Sequence, residues 1–315
     1  MYGNSRIPRG LINFAQILGT TIAAIGLLST ILLAGQIVDL FGSNEIAGKM
    51  SYATLVSFEV FILFKTIASG VAIYKFMKDN SDDDILNNKF VLAALSLNVG
   101  GFFTPFILSS LPNVDTRSNI NPRYYLTRVL GIISLGGGIS MLAALFLVTL
   151  TGAESITVSQ MMDTNNSVAG VITVAFAGLM IFIGTLSASM FFTKNSNNIF
   201  EGNTFLSKIM NAVSIIFLVM ATIELIWLIF IAVIRLLGAI GNMIRAITTD
   251  GNAFVKLFAM MFALFNLTIT IYYVTYIMRM AVQCISGIWT KNKEVVFTKY
   301  SGLEDAKIKK QNRQY

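Results

Sequence analysis

Two charged side chains stand where an apolar stretch leaves little room for charge. Lys65 sits in VSFEVFILFKTIASGVAIYKF and Glu224 in IFLVMATIELIWLIF. A charge at the centre of a bilayer costs about 2.5–3.5 kcal/mol on insertion scales. An ammonium there needs a partner, a watery cavity or loss of its proton. Lys65 is too far from either end of its segment to snorkel. Glu224, near the middle of its own segment, is the candidate partner. As chemistry, the pair would be an ion or proton pathway; as structure, an interhelical lock. The lock is the favoured reading, because no further midplane acids form a relay. Glu59 precedes Lys65 by six residues, about 9 Å along a helix and roughly 120° around it, so these two do not face each other. Glu59 is expected to be solvated or paired elsewhere.

Other chemistry is excluded by residue type. The chain has no histidine and one cysteine, Cys284. Imidazole catalysis, haem or zinc ligation and an internal disulfide are therefore closed. No phosphate-binding glycine loop occurs, and the acidic triplet Asp82–Asp84 reads as a solvated loop without calcium-ligand spacing. No enzyme, metal or cofactor is expected.

Composition says what positions these residues. Of 315 residues, 55% are hydrophobic and 12% are charged, against about 25% charged in soluble domains. The apolar residues come in long runs, so the solvent is lipid. Seven segments stand out, at about 11–41, 53–76, 90–111, 125–150, 168–192, 209–237 and 255–288. Only helices satisfy their own backbone in lipid. The expected fold is an all-α, polytopic membrane helix bundle with six or seven transmembrane segments in residues 1–288. A basic cytoplasmic tail follows in 289–315. The first run, about 30 residues, exceeds the roughly 7–15 of a signal-peptide core and reads as a retained, tilted helix.

The third segment is expected to be interrupted. Asn98, Gly100, Gly101, Thr104 and Pro105 lie in its middle, and glycine and proline weaken a helix there. A kinked span, a broken span and a re-entrant hairpin all fit. Charge favours the last. With 90–111 re-entrant, 18 basic residues fall on the tail side and 4 opposite, against 14 and 8 if it crosses. The lysine-rich side is cytoplasmic, and the loop 151–167, which has no lysine or arginine, faces away. An internal echo argues otherwise. NEIAG at 44–48 resembles NSVAG at 166–170, and QILG at 16–19 resembles RVLG at 128–131. A 3+3 inverted repeat would make segment three a span like segment six.

Gly131, Gly136, Gly137 and Gly138 let another backbone approach their helix. Packing within one chain is the favoured reading, a subunit contact the alternative. The stretch 235–254, with Arg235 and Arg245 among apolar residues, suits an interfacial amphipathic segment. The +7 charge fits cytoplasmic loops of a membrane protein, not a nucleic-acid contact.

The stretch FKTIASGVAIYKFMKDN, followed by NKFVLAALSLNVGGFFTPFIL, resembles part of the small inner-membrane proteins of Dot/Icm-type (type IVB) secretion and conjugation systems. A glycine-bearing helix runs into a lysine-rich polar segment, and an apolar helix with a late proline follows. The matching residues are Gly70, Lys75, Phe76, Lys78, Asp79, Asn80 and Pro105, over about 50 residues of the chain. The resemblance implies a structural, multi-pass subunit of a bacterial inner-membrane machine, with lipid, other subunits or itself as partners. The alternative is a small-solute or ion transporter with its path near Lys65, Glu224 and segment three.

Overall fold

The computed structural model describes residues 7–41, 45–97, 103–111, 120–151, 168–188, 200, 204–248 and 252–311. Nine helices lie among them: α1 (Arg9–Leu32), α2 (Ala34–Phe41), α3 (Glu45–Asp79), α4 (Asp82–Leu95), α5 (Phe103–Ser110), α6 (Pro122–Thr151), α7 (Val168–Leu186), α8 (Phe205–Thr248) and α9 (Ala253–Gln311). Six are long and apolar enough to cross a bilayer: α1, α3, α6, α7, α8 and α9. The chain is an all-helical, polytopic membrane bundle. It divides into two compact units, Met1–Phe217 and Leu218–Tyr315.

In the first unit three helix pairs run antiparallel, and named contacts fix their register. Gln16 of α1 lies beside Gly70 of α3, and Thr30 beside Glu59. Gly136 and Gly137 of α6 lie against Phe64 and Phe61 of α3. Gly184 of α7 lies against Leu135 of α6. Lipid gives helices no hydrophobic reason to associate, so close packing must hold them. The glycines of α6 supply it. A Cβ on Gly136 would overlap the Phe64 ring, and one on Gly137 would stand 2.8 Å from Phe61. A Cβ on Gly138 would be 2.9 Å from the Ala177 carbonyl oxygen. Gly131 is buried on the same helix. Phe176 of α7 completes the seat, 5.7 Å from both Phe58 and Phe61.

One end of this unit is closed by two arginines that the sequence reading passed over. Arg9 opens α1 and donates to the carbonyls of Met77 (2.6 Å) and Asn80 (3.1 Å), and pairs with Asp82. Arg123 stands second in α6 and donates to Ser214 Oγ (2.7 Å) and the Asn211 carbonyl (3.2 Å). Each follows a proline, Pro8 or Pro122, placed where a helix start tolerates a missing N–H.

Several boundaries differ from the expectation. The run 11–41 is two helices, because α1 ends at Leu32, Leu33 caps it and α2 restarts at Ala34. The triplet Asp82–Asp84 is the first turn of α4, not a loop. Ser81 caps it, and its Oγ accepts from Asp84 N while Asp84 accepts from the Ser81 N–H. Acidic residues suit that turn because the helix N-terminus carries partial positive charge. The stretch 235–248 continues α8 without a break, and α9 stays helical past 288 to Gln311.

Candidate functional site

The third apolar segment is where the helical pattern gives way. α4 ends at Leu95 and is capped by Ser96, whose Oγ donates back to the Ala93 carbonyl at 2.8 Å. α5 begins at Phe103. Asn98, Gly100 and Gly101 lie outside the described residues. Pro105 falls in the first turn of α5, where it starts a helix rather than kinking one. At about 1.5 Å per residue, α4 is about 21 Å long and α5 about 12 Å, both short of a hydrocarbon core of about 30 Å. The kinked continuous span is therefore not what forms, nor does this segment match the unbroken α8, as a 3+3 repeat of spans requires.

The two short helices fold back on one another. Lys89, in the middle of α4 and 2% exposed, donates from Nζ to the Leu111 carbonyl at 2.5 Å. Leu111 directly follows α5, so the end of α5 returns to the middle of α4. The same ammonium lies 4.8 Å from the Phe90 ring centroid. A buried lysine is costly unless its donors are used. Here it satisfies a carbonyl that the end of α5 would leave open.

The start of α5 meets α1. Gln16 is 4% exposed, and its Nε2 donates to Thr104 Oγ1 at 2.7 Å. Its Oε1 is buried without a hydrogen-bond donor, and so is Oδ1 of Asn13 one turn earlier. Gly70 faces the same side chain. A methyl at position 70 would lie 3.7 Å from Gln16 Cβ and 3.9 Å from Oε1. By the α1 rise, Gln16 lies about 10 Å from the Arg9 end.

Farther along the α1–α3 seam, Thr30 donates to Glu59 Oε1 at 2.8 Å, and Glu59 Oε2 is buried without a partner. Glu59 is thus paired across helices.

Lys65 is half-buried on α3 and Glu224 half-buried on α8. Lys65 belongs to the first unit and Glu224 to the second. Within its own unit, Lys65 is twelve residues from Met77, about 18 Å from the carbonyl that Arg9 grips. Within the second unit, Trp289 donates from Nε1 to Thr222 Oγ1 at 3.0 Å. Glu224 therefore lies within one turn of the level at which α9 reaches Trp289 and turns basic with Lys291 and Lys293. Trp favours the membrane–water boundary.

Among the described residues, no three histidine, cysteine or carboxylate side chains gather as a metal site. Cys284 is buried, 3.8 Å from the Met280 sulfur. The residues that sequence reasoning missed are Asn13, Gln16 and Lys89. A lone amide in an apolar run, and a buried lysine at a segment edge, are the only signals they give. The chain matches no protein-family model, no curated protein and no solved structure.

Proposed function

We propose that this chain is a structural integral-membrane subunit of a multi-protein assembly in the bacterial inner membrane, a secretion or DNA-transfer apparatus. One observation carries the reading. Large apolar side chains stay exposed along α8 from Phe205 (80%) to Ile247 (46%). At 1.5 Å per residue that is about 63 Å of exposed apolar helix, twice a hydrocarbon core of about 30 Å. Lipid alone covers it only at a tilt of about 60°, beyond the usual range of about 0–40°. The remainder calls for protein, and an apolar surface of this extent is what a subunit buries against neighbours. The resemblance at Gly70, Lys75, Lys78 and Pro105 points to the same class.

The span count and the charge pattern support one orientation. Six crossings bring both ends to one side. With the α4–α5 hairpin opening to that side too, the lysine-rich tail and the Arg9 end are cytoplasmic.

Extraction in mild detergent tests the reading. The expected result is a particle much larger than one chain, with photo-crosslinks from Leu237 and Ile244 to a defined second protein. A monodisperse single chain whose crosslinks at both positions reach only lipid would overturn it.

The hairpin supports a second reading, a small-solute or ion transporter. Broken helices with polar side chains at their ends are where transporters hold cargo. In that reading, flux in liposomes is lost on Lys65→Ala or Glu224→Ala.

A further inference from the structure

We propose that Asn13, Gln16 and Thr104 form a binding site for a monovalent cation of the sodium or potassium class. The atoms left without partners here are both oxygens: Asn13 Oδ1 and Gln16 Oε1. They lie one turn apart on the same face of α1, and Gln16 is hydrogen-bonded into the first turn of α5. Thr104 Oγ1, fully buried and accepting from Gln16 Nε2, adds a third hard oxygen beside them.

Charge and donor type select the ligand. Neutral amide and hydroxyl oxygens suit a hard cation. The set contains no carboxylate, so it lacks the charge with which calcium or magnesium sites are built. An anion would find the positive end of α5 but leave both orphaned acceptors facing it. The same helix end opposes a cation, yet its partial charge is spread over a whole turn, while the two acceptors would touch the ion directly. Gly70 leaves room beside Oε1, since a methyl there would already be in van der Waals contact with Gln16. A site of this kind inside a bundle, at the end of an interrupted helix, is physically reasonable because water is scarce there to satisfy the oxygens instead. The proposal holds for an assembly subunit as well as for a transporter, since a bound ion can brace α1 against α5 in either.

The test uses the full chain in lipid nanodiscs, unfolded by heat in NaCl or KCl against choline chloride at equal ionic strength. The expected result is a saturable rise in Tm with the metal salt. It should vanish in Gln16→Leu and Thr104→Val, and its apparent affinity should fall by about tenfold or more in Gly70→Ala. Gly70→Ala keeps the Gln16–Thr104 bond and fits the helix, so it reports on the site even where the polar variants do not fold. Equal Tm in the metal and choline salts would mean that a buried water satisfies these oxygens, and would overturn the proposal. So would a metal-specific rise that Gly70→Ala and Gln16→Leu leave unchanged.

Discussion

Gln16 and Thr104, 88 residues apart in sequence, are joined by a buried 2.7 Å hydrogen bond that ties the first membrane helix to the short α5. The bond is made where neither group can turn to water. Breaking it from one side therefore leaves the other group stranded.

Thr104→Val should destabilise the fold by about 1–3 kcal/mol, the cost of leaving a buried amide unsatisfied. Gln16→Leu should do the same. The double variant should lose less than the sum, because it removes both polar groups together. Unfolding in detergent by SDS titration measures all three. Additive losses would show that the two residues act separately.

Glycine position on α6 and α7 should matter in a graded way. A Cβ on Gly184 would meet the Leu135 backbone nitrogen at 2.5 Å, and a backbone cannot swing aside. Gly136 faces the tip of the Phe64 ring, which can shift, while Gly178 faces open space. Gly184→Ala should cost about 1–3 kcal/mol or more. Gly136→Ala should cost less than that. Gly178→Ala should be neutral or stabilising by up to about 1 kcal/mol, since alanine is the better helix former. The same unfolding assay ranks them, and equal effects at Gly178 and Gly184 would contradict the packing.

The fold class was legible because lipid demands long apolar runs, and nothing else in this chain competes with that signal. The interruption near residue 100 was legible too, since Gly100, Gly101 and Pro105 weaken a helix in any setting. What replaced the helix was not. The return of α5 onto α4 brings Lys89 to the Leu111 carbonyl, and Lys89 reads in sequence as an ordinary segment-edge lysine. The capping box at Ser81 and Asp84 had a readable spacing, but three adjacent aspartates looked more like a loop. Gln16 was hidden for a different reason: its partner is set by tertiary contact alone. Lys65 and Glu224 were conspicuous because charge is rare in these segments, yet midpoints of apolar runs are poor measures of depth. α8 runs from Phe205 to Thr248, beyond both ends of the run in which Glu224 was centred.

Lys89 should act as the latch of the hairpin. Lys89→Met keeps the length and apolar stem but removes the donor from the Leu111 carbonyl. A cysteine at half-buried Ser109, in a background with Cys284 replaced by alanine, reports on α5. Its labelling by a small maleimide should speed up by about tenfold or more on Lys89→Met, as loss of a buried charge-assisted bond of about 1.5–3 kcal/mol implies. Lys89→Arg should recover part of the protection. Unchanged labelling in Lys89→Met would remove the latch.

Cutting the capping box should weaken α4 locally. Ser81→Ala removes the Oγ that accepts from Asp84 N at 3.2 Å, and should cost about 0.5–2 kcal/mol. Ser81→Asp keeps an acceptor and should cost less. Amide exchange in the first turn of α4 is the measurement, and equal protection in both variants would show that the cap contributes nothing.

The broken third segment makes a prediction about sidedness that separates six crossings from seven. α1, α3, α6, α7, α8 and α9 are the helices able to cross, and an even count returns the chain to its starting side. With Cys284 replaced by alanine, the protein has no other thiol. Single cysteines can then be placed at Gly10, exposed at the start of α1; at Asn252, exposed just before α9; and in the tail beyond Lys293. An impermeant maleimide added to sealed vesicles should reach Gly10→Cys and the tail cysteine from one side and Asn252→Cys from the other. From the 18-to-4 division of basic residues, the first side is expected to be the cytoplasmic one. If Gly10→Cys and the tail react from opposite sides, residues 90–111 must cross once more, the α4–α5 hairpin cannot open to one face, and the charge argument for orientation fails with it.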